Sequence, residues 1–95
     1  MHLVWTEPAL RDLASVRAYV ALDNPSAAAR QINLVLQAAE TLVRFRNIGH
    51  PGRRPGTREL GVSRTHYLLP YRITPNCIEI LRVLHGRQRW PDHFD

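Results

Sequence analysis

Apolar side chains recur at helical spacing through the first half of the chain and at strand spacing through the second. Leu3-Val4-Trp5 is a short apolar run ending at helix-start chemistry, which predicts a first strand. Thr6 is suited to cap the helix that follows, and Pro8 falls in its first turn, where a missing N–H leaves no bond unmade. Ala9, Leu13, Val16 and Val20 then recur on one face, with Arg11, Asp12, Arg17 and Asp23 between or beyond them, predicting a helix from about Glu7 to Leu22. Asn24-Pro25 is a stop followed by a start: Asn24 can cap and Pro25 takes the first helical position. In the next stretch Ala28, Ile32, Val35, Leu36, Ala39, Leu42 and Val43 form a stripe wide enough to face both a partner helix and a sheet. Because only Asp23-Asn24 separates the two helices, they should form an antiparallel hairpin.

Residues 48–57 contain three Gly and two Pro and are predicted to be a loop without regular structure. Arg58–Val62 is a strand weakened by Gly61, Tyr67–Thr74 is a second, and Ile78–His85 a third, the last two joined by a short turn at Pro75-Asn76 that requires antiparallel pairing. Pro70 lacks the N–H a ladder uses, so it demands either an edge position or a bulge beside it. Strict alternation places Tyr67, Leu69, Tyr71 and Ile73 on one face and His66, Leu68, Pro70, Arg72 and Thr74 on the other. On the last strand it groups Ile78, Ile80, Arg82 and Leu84 against Glu79, Leu81, Val83 and His85, so that Arg82 and His85 face opposite sides unless a bulge intervenes. One face must lie under the helices, and the other should be a shallow, half-apolar surface studded with arginines. The predicted architecture is α+β, in the order β-α-α-β-β-β, with a helical hairpin on one face of a small, mostly antiparallel sheet.

Composition adds bounds to this picture. Ninety-five residues with 44% apolar content are enough for one domain, 1–95, with one modest core. No run approaches a membrane span, and the first residues lack the plan of a signal peptide. The lone Cys77 excludes an internal disulfide and fits a buried thiol in a cytoplasmic protein. Formal net charge is +5, and all 13 cationic residues are arginine. A GC-rich genome accounts for arginine over lysine but not for the sign, which leaves acidic protein, nucleic acid or an anionic surface as partners.

Candidate chemistry concentrates at the end of the chain. Arg87, Arg89 and Trp90 form a cation–π-capable cluster in a tail with no evident packing duty, although Trp90-Pro91 could equally fold back over the core. Arg72 and Arg82 can meet a target or pair with a carboxylate across the sheet, Glu79 or Glu59 for Arg72. His85 at a strand end is either a hydrogen-bonding anchor or a proton carrier. Arg53 and Arg54 read as solvated loop charges. The histidines at 2, 50, 66, 85 and 93 and Cys77 show no ligand spacing, so neither a metal nor any other cofactor is expected.

With this order of elements, the chain resembles the RelE/ParE superfamily of bacterial type II toxins. The matching stretches are Trp5-Thr6-Glu7-Pro8-Ala9 with Asp12-Leu13, Tyr19-Val20-Ala21 with Asp23-Asn24-Pro25 and Ala27-Ala28, Gly52-Arg53 with Gly56-Thr57-Arg58-Glu59-Leu60, Tyr71-Arg72-Ile73, and Ile78 through Arg87. They span nearly the whole chain. The resemblance implies one of two activities. In the nuclease branch, ribosome-dependent enzymes cut mRNA with an arginine that stabilises phosphorane charge and a second group for proton transfer. That branch commonly carries Tyr-Arg-x-x-Tyr on the third strand, where this chain has Tyr67-Leu68-Leu69-Pro70-Tyr71, with leucine in the arginine's place. The lysines and the C-terminal tyrosine of many such nucleases are also absent. ParE-like members bind DNA gyrase instead and stabilise its cleaved complex with DNA, and Leu84-His85-Gly86-Arg87 is more at home there. The reading is therefore a ParE-like gyrase inhibitor that presents Arg82, His85, Arg87, Arg89 and Trp90 to its target. The alternative is an mRNA endoribonuclease using Arg58, Arg72, Arg82 and His85. Either activity implies growth inhibition, a role in plasmid stabilisation, and a cognate antitoxin with a DNA-binding N-terminal domain and a disordered tail. Operator DNA would be met only through that antitoxin. Leu13, Arg17, Val20, Arg30, Arg53 and Arg54 are the candidate antitoxin contacts.

Overall fold

Thr6 fixes the relation between the helices and the sheet. In a computed structural model that describes residues 1–94, its hydroxyl accepts the Ala9 N–H at 3.3 Å, which caps the first helix. The same hydroxyl reaches the carbonyls of Ile80 and Leu81, and the Thr6 N–H donates to Ile80 O at 3.1 Å. A local cap is thus also a long-range tie. Strand β1 (His2–Trp5) precedes it, and helix α1 (Glu7–Asp23) follows. Asn24 ends α1 and caps α2 (Pro25–Arg44), its side chain accepting the Ala27 N–H at 3.1 Å. Both ends of α1 and the start of α2 fall within a residue of those predicted.

After α2 come β2 (His50–Pro51), β3 (Arg58–Gly61), β4 (Tyr67–Ile73), β5 (Cys77–Ile80) and β6 (Leu84–His85). The sheet runs in the order β1-β5-β4-β3-β2, with β6 also on β4. Only the β1–β5 pair is parallel. Two expectations change. The loop after α2 contributes the short strand β2, which pairs with β3. The final strand is not continuous but divides into β5 and β6.

A one-residue bulge divides it. Tyr71 pairs with Ile80 and Tyr67 with His85, so four steps along β4 are matched by five along the returning chain. Pro70 explains the position. It lies on a central strand, and in a strand the N and C=O of one residue point to the same neighbour. Its carbonyl accepts Leu81 N at 2.9 Å, so its missing N–H faces the bulge, where no ladder bond is required. The extra residue reverses the alternation beyond it. Leu84 therefore lies opposite Leu68, and His85 turns to the helix side with Tyr67.

The core forms between the helices and the near face of the sheet. Val16, Ile32, Val35, Ala39 and Leu42 meet Leu69, Tyr71, Ile78, Ile80 and Val83. Each fully buried large side chain contributes about 1.5–3 kcal/mol by leaving water. Leu13 and Val20 pack at its margin, whereas Leu36, predicted to lie on the inner stripe, sits at the rim. Pro70, Leu81 and Leu84 are buried on the opposite face. That face is thus not the open, arginine-studded surface the alternation predicted. Cys77 is half-buried, not buried, its sulfur 3.0 Å from Thr74 Oγ1.

Candidate functional site

Most of the arginines singled out from the sequence have internal partners. Arg58 extends from β3 on the face shared with Tyr71 and donates through Nη2 to Asn47 O at 3.1 Å and also to Gly49 O. The Tyr71 hydroxyl bonds the same segment, donating to Arg46 O at 2.7 Å and accepting Gly49 N. Together they fasten the chain that leaves α2. Arg72 lies 3.8 Å from Glu79 across β4 and β5, a half-buried pair, so of the two carboxylates expected for it the register selects Glu79.

Arg82 has the strongest partner. Its Nε and Nη2 donate to the two carboxylate oxygens of Asp12 at 2.6 and 3.0 Å, a bidentate contact from the bulge to α1. Asp12 Oδ2 also accepts the Val83 N–H at 2.9 Å, which the interrupted ladder would otherwise leave unmade. The hydrogen bond that Arg82 donates to Asp12 raises its pKa above the ordinary value, so its charge is fixed.

The basic tail is divided between two sides. On the helix side, Ser15, Val16 and Tyr19 of α1, Tyr67 of β4, and His85, Arg87 and Gln88 line an open cleft of about 470 Å³. The His85 ring stands edge-on to Tyr67 at 5.6 Å and tilted to His66 at 5.5 Å. The turn after β6 is tightly bonded: His85 Nδ1 accepts Arg87 N at 3.1 Å, Gln88 Oε1 accepts His85 N, and Gly86 N donates to His66 O. The Arg87 N–H bond assigns the acceptor role to Nδ1. His85 therefore anchors the turn as well as lining the cleft. Burial raises the Tyr67 phenol pKa, and Tyr19 adds to the shift. Arg87 makes no ion pair among the described residues.

On the other side, Arg82, Arg89, Trp90, Pro91 and Asp92 line a second hollow of about 300 Å³. Here the tail folds back on the loop before β3. The Arg53 guanidinium lies 4.0 Å over the Trp90 ring, Arg54 Nε donates to Pro91 O at 2.9 Å, and Phe94 meets Trp90 edge-on. Arg53 N also donates to the buried Glu59 carboxylate at 2.7 Å. Arg53 and Arg54 are thus tail-holding groups, not the solvated loop charges expected.

The five proposed target contacts consequently do not form one patch. His85 and Arg87 share the helix-side cleft, Arg89 and Trp90 share the opposite hollow, and Arg82 lies between them, tied to Asp12. Arg82 and His85 both look toward α1, contrary to strict alternation, because the bulge intervenes. The proposed antitoxin contacts are dispersed as well. Leu13, Arg17 and Val20 lie on α1 and Arg30 near the start of α2, while Arg53 and Arg54 bind the tail. Sequence reasoning missed Tyr19 and Tyr67 as cleft residues. The available signal was Tyr19 itself, an aromatic residue off the apolar stripe of α1 that proves 72% exposed. Among the described residues no three His, Cys, Asp or Glu side chains converge as metal ligands, and no helix is long and apolar enough to cross a membrane.

Comparison with known proteins agrees with this architecture. The family described as "ParE toxin of type II toxin-antitoxin system, parDE" matches residues 3–90. The chain is 42% identical to the Sinorhizobium fredii protein Y4kP over 92% of its length and 90% of that protein's. It is 39% identical to toxin RelE3 of Caulobacter vibrioides, over 85% of this chain and 89% of the other. Among solved structures, it resembles a chain of the chromosomal ParDE toxin–antitoxin system from P. aeruginosa, with a TM-score of 0.80 and 31% identity over 90% of this chain and 95% of that one. It also resembles a chain of the RelBE2 toxin–antitoxin complex from Mycobacterium tuberculosis, with a TM-score of 0.64 and 31% identity over 88% and 95%. This chain belongs to the ParE toxin family of type II toxin–antitoxin systems.

Proposed function

We propose that this toxin acts by binding, with DNA gyrase as its target, and that it breaks no bond itself. The observation that carries the reading is the fate of the cations a nuclease would need. Arg58 is spent on loop carbonyls, Arg72 faces Glu79, and Arg82 is held bidentately by Asp12. Leu68, where the nuclease branch carries arginine, lies opposite Gly61 and Leu84. Phosphoryl transfer needs a cation aimed at the developing charge, and Arg58 and Arg82 are held elsewhere by hydrogen bonds, while Arg72 has only its looser contact with Glu79. What remains available to a macromolecule is the cleft of Tyr19, Tyr67, His85 and Arg87, with Arg89 and Trp90 on the opposite side. Purified protein is expected to inhibit gyrase supercoiling and, on expression, to induce the SOS response. Unchanged supercoiling at molar excess of toxin rejects the gyrase target.

One observation favours the alternative. His66, His85 and Tyr67 bring two imidazoles and a phenol together beside Arg87, a grouping capable of proton transfer. An mRNA endoribonuclease would leave codon-phased cuts in translated message after induction, read by primer extension. Under both readings the partner is a cognate antitoxin, consistent with the toxin–antitoxin systems in which the matched structures occur. The toxin would form a hetero-oligomer with it in the cytoplasm, and the antitoxin would contact operator DNA. The net charge of +5 favours an acidic antitoxin tail.

A further inference from the structure

The helix-side cleft has a composition that the fold does not require. Tyr19 leaves 72% of its surface in water and lies outside the core cluster. It faces Tyr67 and His85 across the cleft, with His66 beside His85. Among the described residues the lining has one charged side chain, Arg87, and no carboxylate. On this face of α1 the acidic residues nearest the cleft are Asp12, about a turn before Ser15 and already neutralised by Arg82, and the exposed Asp23, one turn beyond Tyr19 at the end of the helix. Aromatic faces beside an unpaired guanidinium are the chemistry that receives an unstacked base and its phosphate. An amphipathic peptide helix would find little to grip, because Val16 is the only aliphatic residue in the lining and it is already buried. A duplex would hide its base faces in its own stack and meet only Arg87.

We propose that this cleft binds a segment of single-stranded DNA, with one base against Tyr19 and Tyr67 and the adjoining phosphate at Arg87. The inference rests on the gyrase reading, in which the toxin meets DNA opened by the enzyme, and it assigns the toxin a direct contact with that DNA. The Tyr67 phenol is neutral near pH 7 even without its raised pKa, so no like charge from it opposes the phosphate. The Gly86 turn, pinned by His66 O and His85 Nδ1, presents Arg87 at the cleft mouth without reordering the backbone.

The test is fluorescence anisotropy with a short labelled oligodeoxynucleotide of mixed sequence, compared with its duplex and with an RNA strand of the same sequence. The single DNA strand is expected to bind saturably and more tightly than either. Tyr19→Ala should weaken it roughly tenfold while Tyr19→Phe, which keeps the ring, binds like the parent. Arg87→Ala should weaken it and lower the slope of log affinity against log salt by about 0.7. Arg44→Ala removes the same charge at the far end of α2 and should change neither quantity. Circular dichroism melting of each variant establishes that the fold is retained. Absence of saturable binding overturns the proposal, as does equal or tighter binding of RNA or duplex, or parental affinity in Tyr19→Ala. A supercoiling assay in parallel separates the two readings. Inhibition that survives both Tyr19→Ala and Arg87→Ala rejects the cleft and keeps the gyrase target. DNA binding without inhibition keeps the cleft and rejects the target.

Discussion

Replacing Asp12 with alanine removes the acceptor of three hydrogen bonds at once, two from Arg82 and one from the Val83 amide. Val83 is 2% exposed, so its N–H would be left without a partner in a place water does not reach. Orphaning such a group costs about 1–3 kcal/mol. The Arg82 side chain keeps 25% of its surface exposed and the Asp12 side chain 15%, so solvent screens their interaction in part. Losing the pair should then cost about 1 kcal/mol, well below the value for a fully enclosed ion pair. The total is about 2–4 kcal/mol, a large fraction of what a small domain possesses. It should appear as a Tm lowered by about 10–25 °C. Urea denaturation followed by circular dichroism measures it directly, with an unchanged m value confirming that the folded and unfolded states are comparable. Asp12→Asn retains a carbonyl that can accept the Val83 N–H and should lose only about half as much. A double-mutant cycle with Arg82→Met isolates the charged contact, with an expected coupling of about 1 kcal/mol. A loss below about 0.5 kcal/mol in Asp12→Ala, typical of an unengaged surface residue, would refute the view that Asp12 holds the bulge against α1.

Three further outcomes test other parts of the structure. Gly49→Ala would bring its Cβ within 2.6 Å of Glu59 O and 2.7 Å of the Tyr71 hydroxyl, so denaturant titration should show a loss of about 1–3 kcal/mol. The Tyr67 phenol has a folded pKa raised above 10.0, chiefly by burial, so its contribution is fully present below the unfolded value and disappears as pH rises through the folded one. Stability measured from pH 8 to 11 should therefore fall more steeply in the parent than in Tyr67→Phe (about pH 10 being the unperturbed tyrosine value). Glu79→Ala breaks only a half-buried, solvent-screened pair with Arg72, and thermal melting should register no more than about 0.5 kcal/mol.

The helices were legible because their determinants are local. Thr6 and Asn24 satisfy the first N–H groups of their own helices, Pro8 and Pro25 occupy first turns, and the stripe from Ala28 to Leu42 needs no knowledge of its partner to declare one buried face. Strand alternation likewise grouped Leu69 with Tyr71 and Ile78 with Ile80, each pair on one face of its strand, and Pro70 announced an edge position or a bulge. The sequence could not say where the extra residue falls. That depends on which neighbouring chain meets the missing N–H of Pro70, here the stretch at Leu81, eleven positions further on.

The chain alone therefore determined two capped helices, a small, mostly antiparallel sheet, a strong arginine bias and the family to which it belongs. Tertiary structure decided what those arginines do. Arg82 and Asp12 are 70 positions apart, Arg54 and Pro91 are 37, and no periodicity links either pair. A guanidinium becomes a bracket, a tail clasp or a free binding group according to whether a carboxylate, a carbonyl or a ring arrives beside it. Arrival is set by the bulge, which turns His85 toward Tyr67 and α1, and by the tail's return over the loop, which takes Arg53 and Trp90 to the opposite side. Local propensity fixes which elements form; which charges remain unspent follows only from how those elements are packed together.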